Sequence, residues 1–146
     1  MVRHPTYDQI LAMPLRQQAL ALHERGNRAR TQELKDMAAA LALLELEHGA
    51  IKAAGYTIHG DAVRPVYRER MTLSVMGSVF EGDRRLCRAL LTAGFNLVQR
   101  SEHRLGSVRF KKGRLTISVV IDAEKLAQAE SEAAAALSAN TEEVAA

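Results

Sequence analysis

The chain has 146 residues, enough for one domain or for one small domain with an appendage. Apolar residues make up 47% and charged residues 25%, which excludes a collagen-like or a wholly disordered protein. No apolar run reaches the ~18 residues that a membrane-spanning helix needs. A single cysteine excludes an intramolecular disulfide, and the N-terminus lacks an apolar leader, so we expect a cytoplasmic protein.

The net charge of +3 is distributed unevenly along the chain. Residues 56–122 contain 12 basic and 6 acidic residues, whereas residues 123–146 contain 1 basic and 5 acidic residues. Of the 20 basic residues 15 are arginine, whose planar guanidinium suits bidentate contacts with phosphate or carboxylate. The basic middle segment therefore favours an anionic partner, and an ordinary solvated surface is the alternative.

Two helices are predicted over residues 1–55. Thr6 and Gln9 form a capping-box pattern, so we expect the first helix to begin there. Residues 23–27, His-Glu-Arg-Gly-Asn, predict a turn, because the glycine suits a helix C-cap and the asparagine suits the next N-cap. The second helix is predicted over residues 28–54, which gives an antiparallel helical hairpin.

The second predicted helix carries an apolar seam at alternating spacings of three and four residues. The seam predicts a surface that packs on the rest of the chain, on a docking partner or on a second copy in a homodimer. A histidine occupies one seam position, where it sets the register or, if paired across a dimer axis, makes association depend on pH. The predicted oligomer or partner interface consists of Leu34, Met37, Leu41, Leu44, His48 and Ile51.

Beyond residue 55 the apolar period changes from helical to strand-like. Residues 56–137 predict the order strand, helix, three strands, helix, with the clearest alternation at residues 115–121. The sequence therefore predicts an α+β protein, with an N-terminal antiparallel helical hairpin followed by a β-α-β-β-β-α module that has a mainly antiparallel sheet. Residues 138–146 have little to bury and are predicted to form a flexible tail.

The sequence lacks the common signatures of metal and nucleotide sites, so we expect no metal and no cofactor. One cysteine and five scattered histidines do not form a zinc-binding pattern. Gly77 and Gly82 have the spacing of a phosphate-binding loop, but Asp83 and Arg84 follow where that loop needs lysine and then serine or threonine. Cys87 lies on the apolar side of its predicted helix, which indicates a buried structural thiol rather than a nucleophile.

Basic residues recur on the predicted surface of the module. In the last two predicted strands, apolar residues alternate with basic and hydroxyl residues, which gives one sheet face donors for phosphate. Arg64, Arg68 and Arg70 add to the basic segment before the first long strand. The paired aromatics of an RNA-recognition motif are missing, so the predicted contacts are with the nucleic-acid backbone. The predicted nucleic-acid-binding residues are Arg84, Arg85, Arg88, Arg109, Lys111 and Arg114.

Residues 90–100, Leu-Leu-Thr-Ala-Gly-Phe-Asn-Leu-Val-Gln-Arg, resemble the start of the HicA toxin family, and so does the predicted element order over residues 83–137. That family has a small fold similar to double-stranded-RNA-binding domains and cleaves mRNA with a histidine in a Gly-Ser-His or similar motif. Here His103 follows Ser-Glu, and the Gly-Ser at residues 106–107 precedes valine. The resemblance implies a nucleic-acid-binding α+β module that has lost the chemistry, with His103 as the residual catalytic candidate.

Three functions are predicted from these observations. The leading one is a small, non-enzymatic protein that binds RNA or DNA and dimerises or docks through its N-terminal helices. The alternative is a protein–protein adaptor or inhibitor, from a phage or other mobile element, that acts on an acidic protein surface. The third is a ribonuclease of HicA-like type that uses His103.

Overall fold

The computed structural model describes residues 3–145, with side chains as far as Thr141. Its contacts divide the chain into two compact units, the N-terminal unit Met1–Asp36 and the sheet module Met37–Ala146. A short 3-10 helix, Gly60–Ala62, precedes the strands. The other elements in chain order are α1 (Tyr7–Leu11), α2 (Leu15–Asp36), α3 (Ala38–Ala53), β1 (Val63–Val66), β2 (Glu69–Val75), α4 (Gly82–Thr92), β3 (Asn96–Gln99), β4 (Leu105–Lys112), β5 (Leu115–Asp122) and α5 (Ala123–Ala145).

The N-terminal unit consists of α1 and α2. The predicted capping box of α1 is confirmed: the Gln9 N–H donates to the Thr6 hydroxyl at 3.2 Å, and the Thr6 N–H donates to the Gln9 amide oxygen at 2.9 Å. Pro14 stands directly before α2, where the missing N–H removes no helical hydrogen bond. The Arg25 guanidinium carbon lies 5.6 Å from the centre of the Tyr7 ring, so a cation–π contact joins the two helices.

The predicted turn at residues 23–27 is wrong, because α2 continues through it. Contacts one turn apart stabilise this segment as helix: Asn27 Nδ2 lies 3.2 Å from His23 Nε2, and the Thr31 hydroxyl donates to the Asn27 carbonyl at 2.8 Å. The helix is interrupted instead at Met37, which is neither glycine nor proline. Met37 is buried in the core of the sheet module, so the two units divide there and not after residue 55.

Five strands form one sheet in the order β1-β2-β5-β4-β3. The β2–β5 pair is parallel and the other three pairs are antiparallel, so the predicted α+β fold with a mainly antiparallel sheet is confirmed. The module has one strand more than predicted, β1, which contains Pro65 and lies at the edge of the sheet. Residues 56–58, which precede β1, form no strand, and the Ile58 N–H donates to the side chain of His48.

The core of the sheet module lies between one face of the sheet and the helices α3, α4 and α5, which all contact the sheet. The alternation predicted for residues 115–121 is confirmed, because Ile117 and Val119 are buried under the helices while Val120 is exposed on the opposite side. On α4, Leu86 and Leu90 complete this core. The sheet therefore has one face in the core and one face that carries its polar residues.

The apolar seam predicted as a partner interface is used within the sheet module. Met37, Leu44 and Ile51 are buried in its core, and Leu41 packs against them. These side chains pack α3 onto the apolar face of the sheet, which needs a helix to cover it. Their apolar surface is therefore not available to a partner. Leu34 belongs to the other unit, where it is 41% exposed.

The last helix, α5, begins directly after β5. Asp122 caps this helix, since its Oδ1 accepts a hydrogen bond from the Glu124 N–H at 2.9 Å. The tail predicted at residues 138–146 is helical as far as Ala145, and Ala146 lies outside the described residues. None of the helices described combines the length and the apolar character that crossing a membrane requires.

Candidate nucleic-acid interface

The sheet module presents two surfaces with different chemistry, a layer of helices and the outer face of the sheet. Phe110 and Ile117 point into the core, so their strand neighbours Arg109 and Ser118 point away from it. Residues paired directly across neighbouring strands share a face, which extends this assignment along the sheet. The outer face carries Thr72, Ser74, Ser107, Arg109, Lys111, Thr116, Ser118 and Val120.

Three of the six predicted nucleic-acid-binding residues, Arg84, Arg85 and Arg88, lie on α4 in the helix layer, and we call them the helix cluster. Glu132 of α5 accepts hydrogen bonds from both Arg84 and Arg88, the latter at 3.1 Å. Arg84 also donates to Glu81 at 2.9 Å. These bonds join α4 to α5, so the guanidinium groups already have carboxylate partners within the protein.

The ionisation of these groups follows from their pairing. The hydrogen bond from Arg84, followed by the charge of Lys125, lowers the pKa of Glu81 below its ordinary value. The same hydrogen bond to Glu81 raises the pKa of Arg84. Arg85 has a backbone partner instead, since it donates to the Gly55 carbonyl at 3.2 Å. The helix cluster is therefore largely matched by acceptors within the protein.

Two hairpin turns lie at the same end of the sheet. The strands β2 and β5 are parallel neighbours, with Thr72 opposite Thr116, so both strands begin at that end. The turn that leads into β2 is Tyr67-Arg68, because Val66 and Glu69 are paired across it. Residues 113–114 form the turn that leads into β5. The two turns therefore lie at the same end of the sheet.

Five basic residues gather at this end, and we call them the turn-end cluster. Arg109 donates to both carboxylate oxygens of Glu69, at 2.5 and 2.8 Å, and these bonds hold the pKa of Glu69 below its ordinary value. The other four residues are exposed, and no ion pair joins them to a carboxylate in the part of the chain that the structure describes. The turn-end cluster consists of Arg68, Arg70, Arg109, Lys111 and Arg114.

Hydroxyl groups occupy the outer face next to the turn-end cluster. Ser118 stands between Ser74 and Arg109 in the cross-strand register, and its Oγ lies 2.6 Å from that of Ser107. Thr116 likewise stands beside Lys111. Ser118 is buried, whereas Ser107 is exposed and Thr116 is half-buried, so an extended anionic polymer can reach the Ser107 and Thr116 hydroxyls beside the longer basic side chains.

His103, the predicted catalytic candidate, lies in the loop between β3 and β4. This loop is at the end of the sheet opposite the turn-end cluster, because Leu105 pairs with Asp122 at the last residue of β5. The His103 N–H donates to Ser101 Oγ at 3.1 Å, and the nearby Arg104 donates to Asp122 at 3.1 Å. The structure does not bring His103 together with the basic residues of the turn-end cluster.

The glycines with phosphate-loop spacing have a packing role. A Cβ on Gly77 would lie 2.2 Å from Asp83 Oδ1, and a Cβ on Gly82 would lie 2.7 Å from Ser78 Oγ. Both glycines therefore allow the loop to fold tightly onto the start of α4, with a carboxylate in the place that a phosphate would need. Cys87 is buried as predicted, and burial raises the pKa of its thiol to about 12.

His48 lines an open groove of about 380 Å³ beside α3. Its Nε2 accepts a hydrogen bond from the Ile58 N–H at 3.0 Å, which requires the neutral ring. Burial, followed by the charges of Lys52 and His59, lowers the pKa of His48. His48 therefore anchors the segment that follows α3 by a hydrogen bond inside the sheet module.

Sequence reasoning identified Arg68, Arg70, Lys111 and Arg114 as basic residues but did not join them in one site. The missing information is the parallel β2–β5 pairing, which brings together segments that lie far apart in the chain. The sequence gives Tyr67 only a weak signal, which is its place in a two-residue turn between two strand-forming segments.

Within the sheet module, α4, β3, β4, β5 and α5 follow one another in the order helix, three strands, helix. Comparison with protein-family models, with curated proteins and with solved structures finds no significant match to the chain.

Proposed function

We propose that the sheet module binds the sugar-phosphate backbone of nucleic acid through the turn-end cluster. The observation that carries this proposal is the charge imbalance, since Glu69 pairs with Arg109 and no ion pair joins the other four basic residues of the cluster to a carboxylate among the described residues. Basic side chains that lack protein partners neutralise phosphates and release condensed counterions, which favours binding of any nucleic-acid sequence. The helix cluster is a poorer candidate, because Glu81 and Glu132 already occupy its donors.

The arrangement of donors supports a polymer rather than a single small anion. The cations come from two turns, from β2 and from β4, and they are therefore spread across several strands. Lys111 and the half-buried Thr116 stand side by side across a strand pair. Such neighbouring basic and hydroxyl donors can contact phosphate oxygens along a strand, where backbone contacts set position rather than sequence preference.

Fluorescence anisotropy of labelled single-stranded and duplex RNA and DNA tests this proposal, with the full chain titrated at several salt concentrations. The test variant combines Lys111→Ala and Arg114→Ala, which removes two exposed cations of the turn-end cluster. The matched control combines Arg16→Ala and Lys35→Ala, which removes the same charge from exposed positions of α2. The pair separates a local contact from a general effect of net charge.

We expect wild-type binding to weaken steeply as salt rises from about 50 to 200 mM. The test variant is expected to lose about tenfold or more in affinity at low salt, with a slope of log K against log salt shallower by about 1.5 to 2. The control variant is expected to stay within about twofold of the wild type. No binding at low salt, or equal losses in both variants, contradicts the proposal.

A protein partner is the second candidate, and the loop between β2 and α4 favours it. Val79 is 80% exposed and Phe80 is 90% exposed in this loop. Phe80 and Glu81 both have a φ of 62°, in the left-handed region that non-glycine residues rarely adopt. Apolar side chains held outward on such a backbone suit a protein contact, and loss of one specific partner in Phe80→Ser would support this adaptor function.

A further inference from the structure

The turn between β1 and β2 presents an aromatic ring beside the turn-end cluster. Tyr67 is 84% exposed, whereas Tyr56, Phe95 and Phe110 are buried in the core. A two-residue hairpin turn favours glycine or asparagine, yet this turn is formed by tyrosine and arginine. The packing of the module does not require an aromatic residue here, so its presence calls for a functional explanation.

The backbone of this turn is strained in a way that holds the ring outward. Arg68 has a φ of 62°, in the left-handed region that costs free energy for a residue with a Cβ. A strained backbone conformation of this kind persists only where surrounding contacts hold it in place. Here the Arg109–Glu69 ion pair fixes the start of β2, directly after the turn. The turn therefore holds Tyr67 at a defined place at the end of the sheet.

Arg68 covers one side of the ring and leaves the other side open. Its guanidinium carbon lies 5.1 Å from the centre of the Tyr67 ring, the distance of a cation–π contact. The exposure of Tyr67 shows that the rest of the ring faces solvent. An aromatic platform next to cations that track a phosphate backbone is the combination that single-strand-binding proteins use.

We propose that Tyr67 stacks on an unpaired base, so that the ligand of the turn-end cluster is a single-stranded nucleic acid. This inference rests on the proposed function and names the substrate class for the same site. An unpaired base can offer a whole face to Tyr67, whereas the bases of a duplex are already stacked on their neighbours. The cations contact the flanking phosphates, and stacking adds affinity without strong preference for one base.

Binding by the full chain is compared for two labelled oligonucleotides of the same length and charge, oligo-dT and an abasic strand with the same backbone. Both are titrated into the wild type, Tyr67→Ala and Tyr67→Phe. Phe80→Ala is the matched control, because Phe80 is an exposed aromatic residue beyond the opposite end of β2. A second readout is tyrosine fluorescence, which is directly visible because the chain has three tyrosines and no tryptophan.

We expect the wild type to bind oligo-dT about tenfold more tightly than the abasic strand. Tyr67→Ala is expected to lose that preference and to leave the abasic affinity unchanged, while Tyr67→Phe and Phe80→Ala retain the preference. Oligo-dT is expected to quench the tyrosine emission of the wild type more than that of Tyr67→Phe.

Equal affinity for both strands, equal weakening of both by Tyr67→Ala, or preference for duplex overturns the stacking proposal and leaves backbone binding intact. No binding to any strand at low salt overturns the stacking proposal together with the proposed function. The two failures are therefore distinguishable.

Discussion

The helix cluster and the turn-end cluster are both basic, yet the protein surrounds them differently. Arg84 and Arg88 share Glu132, and Arg84 also has Glu81, so their charge is matched within the helix layer. At the turn end, Glu69 pairs with Arg109, and the remaining four cations are exposed. The number of arginines in a segment therefore does not show how much of its charge is unmatched, whereas the carboxylates that pair with those arginines do.

The largest expected effect comes from removing the matched charges. Arg84→Ala with Arg88→Ala leaves Glu132 without its partners and loosens α5 from α4, so we expect a clear fall in the free energy of unfolding, larger than that of the control variant. Urea denaturation followed by circular dichroism measures this. Lys111→Ala with Arg114→Ala is the control, with an expected change below about 0.5 kcal/mol. A larger loss of stability in the control variant would mean that the turn-end cluster, and not the helix cluster, stabilises the fold.

A smaller effect is expected from removing the carboxylate of the turn-end cluster. Glu69→Gln retains an acceptor for Arg109 but raises the local charge by one, so we expect affinity for single-stranded oligonucleotides to rise about threefold at low salt. Glu102→Gln makes the same charge change in an exposed residue of the β3–β4 loop, and we expect almost no effect there. Anisotropy titrations of both variants measure the difference. Weaker binding by Glu69→Gln would mean that the ion pair itself is needed for the site.

The smallest effect is a pH dependence of the helix cluster. The pKa of Glu81 is lowered in the folded protein, mainly by the Arg84 hydrogen bond, so its contribution to stability is complete above its ordinary pKa of 4.5. This contribution is lost as the pH falls through the lower, folded-state value. The stability gap between the wild type and Arg84→Ala with Arg88→Ala is therefore expected to narrow from pH 6 towards pH ~3 in thermal melts. A stability difference that widens from pH 6 towards pH ~3 would contradict the stabilising role of the Arg84–Glu81 hydrogen bond.

Local patterns in the sequence predicted many of the elements. The alternation at residues 115–121 predicted β5, and the capping box at Thr6 predicted the start of α1, because these signals depend on neighbouring residues alone. The turn predicted at residues 23–27 failed, since Gly26 and Asn27 are tolerated inside α2. No local sequence signal marks the break in the helix at Met37. Met37 is instead buried in the sheet module, where its contacts are with residues distant in the sequence.

The candidate site could be predicted only in part, because it depends on contacts between distant segments. Composition correctly indicated a basic surface in the middle of the chain, but Glu132 lies more than 40 residues after the arginines that it pairs with. The turn-end cluster joins Arg70 to Arg114 through a parallel strand pair, which no spacing in the sequence reveals. Leu44 and Ile51, which the sequence predicted as part of a partner interface, are buried in the core. Their burial also depends on contacts with distant segments of the chain.

The most direct test of the central claim is the salt dependence of oligonucleotide binding by three proteins. These are the wild type, the turn-end variant Lys111→Ala with Arg114→Ala, and the helix variant Arg84→Ala with Arg88→Ala, each measured at a temperature where it is folded. We predict that the turn-end variant has a slope shallower by about 1.5 to 2, while the helix variant gives a line parallel to the wild type. A shallower slope in the helix variant, with a wild-type slope in the turn-end variant, would contradict the account.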